Sequence, residues 1–141
     1  MKTLKSMLLG LIIITVFSAA KAADKPAERL SKYYAINTYV DAMTRGKIAG
    51  MNDVVDASAK FNMLRGTKVL SFGKTEMVNF LKTQKDVEQT CTVSTSEVED
   101  NDNVSVVRVD MQYKGFVRSN YVTVANTGNG WKITNVYSVF K

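Results

Sequence analysis

From residue 30 onward apolar side chains recur at spacings of three and four, at Leu30, Tyr33, Ile36, Val40 and Met43. That period puts them on one face of an amphipathic helix over residues 28–45, and Gly46 supplies its stop. A shorter helix follows over 47–55, with Ile48, Met51, Val54 and Val55 on its buried side. The period then falls to two over 60–65, Gly66 turns the chain, and a second short strand occupies 68–72. After Gly73 the helical spacing returns at Met77, Val78, Phe80 and Leu81, which predicts a third helix within 75–82.

The remainder reads as sheet. A strand over 91–98 is closed by the polar run Glu99-Asp100-Asn101-Asp102-Asn103, a turn by composition. The strand over 104–113 carries Val107, Val109, Met111 and Tyr113 on one parity and Val106, Arg108, Asp110 and Gln112 on the other, so the first set faces the core. Lys114-Gly115 makes the next turn, a strand over 116–125 follows, and the glycines of residues 126–130 permit the positive φ of a third turn. The last strand covers 131–140, and simple alternation assigns Trp131, Ile133, Asn135, Tyr137 and Val139 to its inner face. Helices grouped ahead of an antiparallel meander predict an α+β domain over 28–141, three N-terminal helices packed in the concave face of a curved, mainly antiparallel sheet. A concavity of that kind is part core and part pocket.

The first 22 residues stand apart from this pattern. Lys2 and Lys5 precede an apolar run over 7–17, which ends in the small-residue stretch Ser18-Ala19-Ala20-Lys21-Ala22. The layout is that of a cleavable signal peptide with its cut after Ala22, and the run is too short for the roughly 20 residues that span a bilayer. Residues 23–27, with the chain's one proline at Pro26, form a short lead. A periplasmic or secreted domain is expected, with no membrane attachment after cleavage.

Loss of Lys2, Lys5 and Lys21 leaves 16 basic against 13 acidic residues and lowers the formal charge from +6 to +3. The remaining charges alternate in sign, so no footprint for nucleic acid is expected. Cys91 is the one cysteine, which leaves stability to the core and makes a half-buried strand residue its plainest role. The chain contains no histidine. That removes Ser-His-Asp and Cys-His catalysis, most zinc sites and imidazole acid-base chemistry. The 100–103 turn lacks the glycine and closing glutamate of a calcium loop, and Gly128-Asn129-Gly130 is followed by no phosphate-loop helix. No metal or cofactor is implied.

The order of elements, with the pattern Tyr39-Val40-Asp41-Ala42-Met43-Thr44-Arg45-Gly46 in the first helix and Gly130-Trp131-Lys132-Ile133-Thr134-Asn135-Val136-Tyr137 in the last strand, resembles the nuclear transport factor 2-like superfamily, the cystatin-like α+β cone. Cys91-Thr92, Val109-Asp110-Met111-Gln112-Tyr113 and Asn120-Tyr121-Val122-Thr123 resemble the group described as "putative lumazine-binding", small and often exported domains. The resemblance covers essentially all of 28–141. It implies the fold more than an activity, because the superfamily hosts isomerases, dehydratases, cargo binders and non-catalytic subunits.

Against the ketosteroid isomerase pattern, which needs a carboxylate base and an oxyanion hole of a tyrosine and a protonated acid, Tyr39 falls where the tyrosine would stand. The base position falls at Met63 and the second acid near Tyr121 or Val122, and none of these has a carboxyl group. Asp110 is the one acid in mid-strand, and its parity with Arg108 and Gln112 places it on the outer face. The sequence therefore yields no catalytic residue. The expected ligand pocket is formed by Tyr39, Phe61, Tyr121, Trp131, Asn135 and Tyr137, and the polar tips of its tyrosines and tryptophan suit a flat molecule. Tyr33 and Tyr34 are expected to converge on the same face. The reading is an exported, non-catalytic domain that holds a small aromatic or apolar ligand in its cone and forms a homodimer through its sheet. The alternatives are a small isomerase or dehydratase and an interaction subunit with a filled cone.

Overall fold

Ser31 fixes where the first helix begins. In the computed structural model, which describes residues 30–141, its side-chain oxygen accepts from the Tyr34 N–H at 3.1 Å, and helix α1 runs over Lys32–Arg45. An N-cap of this type satisfies a backbone donor that the helix itself cannot. The leader over 1–22, the lead over 23–27 and the expected helix start at residue 28 lie outside the described residues. Gly46 ends α1 in the left-handed region at φ 65°, and the Lys47 N–H reaches back to the Asp41 carbonyl at 3.2 Å.

The second helix is shorter than its apolar spacing predicts: α2 occupies only Met51–Val54. Gly50, at φ 83°, breaks the segment, and the chain is already extended at Val55. Strand β1 (Val55–Arg65) thus starts earlier than the alternation indicates, followed by β2 (Lys68–Gly73) and helix α3 (Lys74–Thr83). Strands β3 (Thr92–Asp100), β4 (Val104–Tyr113), β5 (Phe116–Asn126) and β6 (Trp131–Phe140) complete the chain. β3 runs into the polar stretch expected to be turn, with a register shift between Glu97 and Glu99. Cys91 stands just before β3, part-buried against the core.

The six strands form one curved, unclosed sheet in the order β2-β1-β6-β5-β4-β3, and every neighbouring pair is antiparallel except β1 with β6. The parallel pair has a spatial consequence. The ends of β1 and β6, at Arg65 and Phe140, come to the same edge as the start of β5 at Phe116 and Arg118. α1 packs on β4, β5 and β6 while α3 packs on β1 and β2, and both cover the same face.

The core between them contains Tyr39, Ala42, Phe61, Val109, Val122 and Val136, all nearly inaccessible to solvent. On β4 the inner parity is Val107, Val109 and Met111, as the alternation requires, and all three are buried. On β6 it departs from simple alternation. The partners of Thr123 and Val124 on β5 are Asn135 and Ile133, so Thr134 is an extra residue and the strand bulges there. A bulge exchanges the two faces beyond it. Ile133 points inward before the bulge, and Val136 and Ser138 point inward after it.

Candidate functional site

Asn120 is wholly buried in the middle of β5, and its amide is bonded on both sides. Its Nδ2 donates to the Val109 carbonyl at 3.1 Å. That acceptor fixes the amide's orientation and leaves Oδ1 to receive Tyr39 Oη at 3.1 Å, Arg118 Nε at 3.0 Å and Ser138 Oγ at 2.7 Å. Arg118 also donates from its other end to Ser138 Oγ at 3.4 Å. Helix α1 and strands β5 and β6 thus meet in one polar knot within an apolar core. Burial holds the Tyr39 phenol above its usual range, with the Arg118 charge and the Ser138 hydroxyl acting the other way. Tyr39 is accordingly a neutral hydrogen-bond donor near neutral pH.

A cavity of 490 Å³ opens beside the knot, within the size range of small-molecule sites. Met63, Leu70 and Phe72 from β1 and β2, Met77 and Phe80 from α3, and Met43 from α1 give it an apolar wall. Met43 follows Tyr39 by one helical turn, which is why the two reach the same space. Its charged members are Arg65, Arg118 and Glu76. Met63, Phe72, Met77 and Arg118 also wall a recess of 10 Å³ that extends to Tyr39, Phe61 and Ser138. That volume is about that of one water. At the rim the guanidinium groups of Arg65 and Arg118 each stand 5.6 Å from the centroid of the Phe140 ring. Phe140 in turn neighbours Phe116, whose ring stacks on Tyr113 at 4.8 Å.

The residues expected from the sequence to form the pocket divide into two groups. Tyr39 and Phe61 stand at the inner recess. Tyr121, Trp131, Asn135 and Tyr137 line neither it nor the cavity. Tyr121 and Tyr137 are cross-strand partners on the outer face of the sheet, Tyr137 having been turned there by the bulge at Thr134. Asn135 is on that face too, and its Oδ1 accepts from Asn62 Nδ2 at 3.0 Å. Trp131 packs at the edge of the core, and Tyr33, 63% exposed, leaves it altogether.

Asp110 lies on the outer face as its parity requires, 3.3 Å from Arg108 Nε and on the side of β4 away from Tyr39. The inward polar positions on β5 are Arg118 and Asn120, the latter next to the Tyr121 and Val122 to which the isomerase count points. Register alone could have placed Asn120 on the inner face. A turn at Lys114-Gly115 pairs Tyr113 with Phe116, hence Met111 with Arg118 and Val109 with Asn120.

Residues 33–138 match the family described as "Putative lumazine-binding", well over half of the chain. Among solved structures, a nuclear transport factor 2-like protein of unknown function from Silicibacter pomeroyi is 19% identical with a TM-score of 0.62, the match covering 77% of this chain and 90% of that one. A cystatin-like fold protein from Burkholderia xenovorans is 15% identical with a TM-score of 0.60, over 82% and 93% of the two chains. A protein from Parabacteroides distasonis described as a "putative ketosteroid isomerase" is 12% identical with a TM-score of 0.55, over 75% and 84%. At these identities the likeness is one of fold. No curated protein matches the chain.

Proposed function

Since the chain belongs to the family described as "putative lumazine-binding" and has the nuclear transport factor 2-like fold, we propose that it is an exported, non-catalytic domain that holds a small aromatic or apolar molecule between α3 and the sheet. The observation that carries this reading is the 490 Å³ cavity walled by methionine, leucine and phenylalanine side chains. Methionine lining adapts to ligands of differing outline, and the bonded knot at Tyr39 and Asn120 gives the inner end a rigid polar surface. Export rests on the leader pattern of residues 1–22.

Absence of catalysis is favoured by the positions of the acids. The resemblance to the isomerase pattern puts the base at Met63, which has no carboxyl group; Asp110 faces away from the cavity, and Glu76, the carboxylate on its wall, accepts from the Gly73 N–H at 3.5 Å at the start of α3. The homodimer is proposed through the outer face of the sheet. No helix among the described residues covers that face, and Tyr121 and Tyr137 stand together at its centre. No helix among the described residues is long and apolar enough to cross a membrane.

A thermal-shift screen of the purified protein against flat heterocycles and small apolar molecules tests the binding reading. Concentration-dependent stabilisation by at least one member is expected. Uniform failure across the set would favour the interaction subunit instead.

A further inference from the structure

Arg118 stands at the junction of the cavity and its recess, yet no carboxylate among the described residues lies within ion-pair distance of it. The ion pairs among the described residues use Lys32, Arg45, Lys47 and Arg108, and neither Arg118 nor Arg65 takes part in one. We propose that the occupant of the cavity carries an acidic head group, a carboxylate on an apolar body, held by Arg118 with Arg65 beside it. This rests on the binding reading above and names the class of ligand that the site selects.

The donors decide the point. Arg118 uses Nε on Asn120 and one terminal nitrogen on Ser138, both neutral acceptors. The rest of the guanidinium fork remains at the cavity wall. Water entering the cavity can satisfy those donors. A neutral apolar occupant would expel that water and leave the remaining donors of a half-buried cation without an acceptor, a costly state. A carboxylate meets the fork in the bidentate arrangement that guanidinium groups favour.

The local charge leans the same way. The wall has two arginines against Glu76, and that carboxylate is drawn towards the first turn of α3, where an acid is favourable. Asn120 and Phe140 hold Arg118 in place, so its position is set before a ligand arrives. Beyond the head group, Met43, Leu70, Met77 and Phe80 are left to cover the apolar body.

The test compares matched probes on the purified protein by titration calorimetry near neutral pH: 2-naphthoic acid against 2-naphthamide, and octanoic acid against 1-octanol. In each pair the acid should bind at least about tenfold more tightly, with the margin narrowing as salt is raised. Arg118→Met should bring the ratio within a pair close to one, and Arg65→Gln should reduce it by about threefold. Arg118→Met also removes two bonds of the knot, so the unmodified protein's ratio and Arg65→Gln keep the test valid if that variant fails to fold. Equal affinity for acid and neutral partner overturns the head-group assignment and leaves the binding reading standing, as does an acid preference that survives both substitutions. Binding of none of the four probes removes both.

Discussion

Tyr39 Oη donates to Asn120 Oδ1 at 3.1 Å, joining residues 81 positions apart in the chain. The bond ties the middle of α1 to the middle of β5. Because Asn120 also receives Arg118 and Ser138, one amide oxygen sets the relation between the helix, two strands and the cavity wall. Tyr39→Phe removes one donor and leaves Asn120 with two others, so a loss of about 1 kcal/mol is expected. Asn120→Ala strands Tyr39, Ser138 and the Val109 carbonyl together and should cost more, about 2–4 kcal/mol. Urea denaturation of both variants checks the order, and a Tyr39→Phe loss as large as that of Asn120→Ala would refute it.

Alkaline conditions should weaken the fold through its phenols. Burial first, then the neighbouring Cys91, push the Tyr113 hydroxyl up to about 12, and burial raises Tyr39 as well. In the unfolded chain a phenol titrates near pH 10. Between about pH 10 and 12 the unfolded state therefore releases protons that the folded state keeps. The stabilisation is complete below pH 10 and is lost as pH rises through the folded value. Denaturant unfolding at a series of pH values should show this fall, with a shallower slope in Tyr113→Phe. An identical slope in that variant would exclude the assignment.

Gly46 is required twice over. Its φ of 65° suits glycine, and a Cβ there would lie 2.4 Å from the Gln84 carbonyl oxygen and 2.5 Å from the Asp86 nitrogen. Gly66 has a similar φ of 62° and nothing within 4 Å. Gly66→Ala should lose about 1 kcal/mol, and Gly46→Ala at least about 2 kcal/mol because it also forces the loop after α3 off the end of α1. Chemical denaturation separates the two, and equal losses would show that the close approach carries no weight.

The outer sheet face makes a separate prediction about assembly. If two copies meet there, Tyr121→Glu places like charges near the centre of the contact and should convert dimer to monomer. Sedimentation velocity reads this directly. An unchanged mass in the variant, or a monomeric unmodified protein, would contradict dimerisation through this face.

Much of the fold is legible in the sequence, because α1, β4 and β5 have strong periodicities and their turns fix register. The inward stripe of β4 at Val107, Val109 and Met111 follows from alternation alone. The site is less so. One inserted residue at Thr134 turns Asn135 and Tyr137 to the outer face, and a rule of strict alternation cannot see it. The three-residue spacing of Ile133 and Val136 is the one local sign. Met43, Met63 and Met77 give no chemical signal in sequence, and only the parallel pairing of β1 with β6 brings them to one end of the cone with Arg118.

The central claim is that the space between α3 and the sheet is a binding site, and methyl spectra of the methionines test it. Met43, Met63 and Met77 line the cavity, whereas Met51 and Met111 are sealed in the core, 1% and 0% exposed. With methyl-labelled methionine and a titrated 2-naphthoic acid probe, the first three signals should move together and saturate while those of Met51 and Met111 stay in place. Saturable binding that leaves Met43, Met63 and Met77 unmoved would contradict the account.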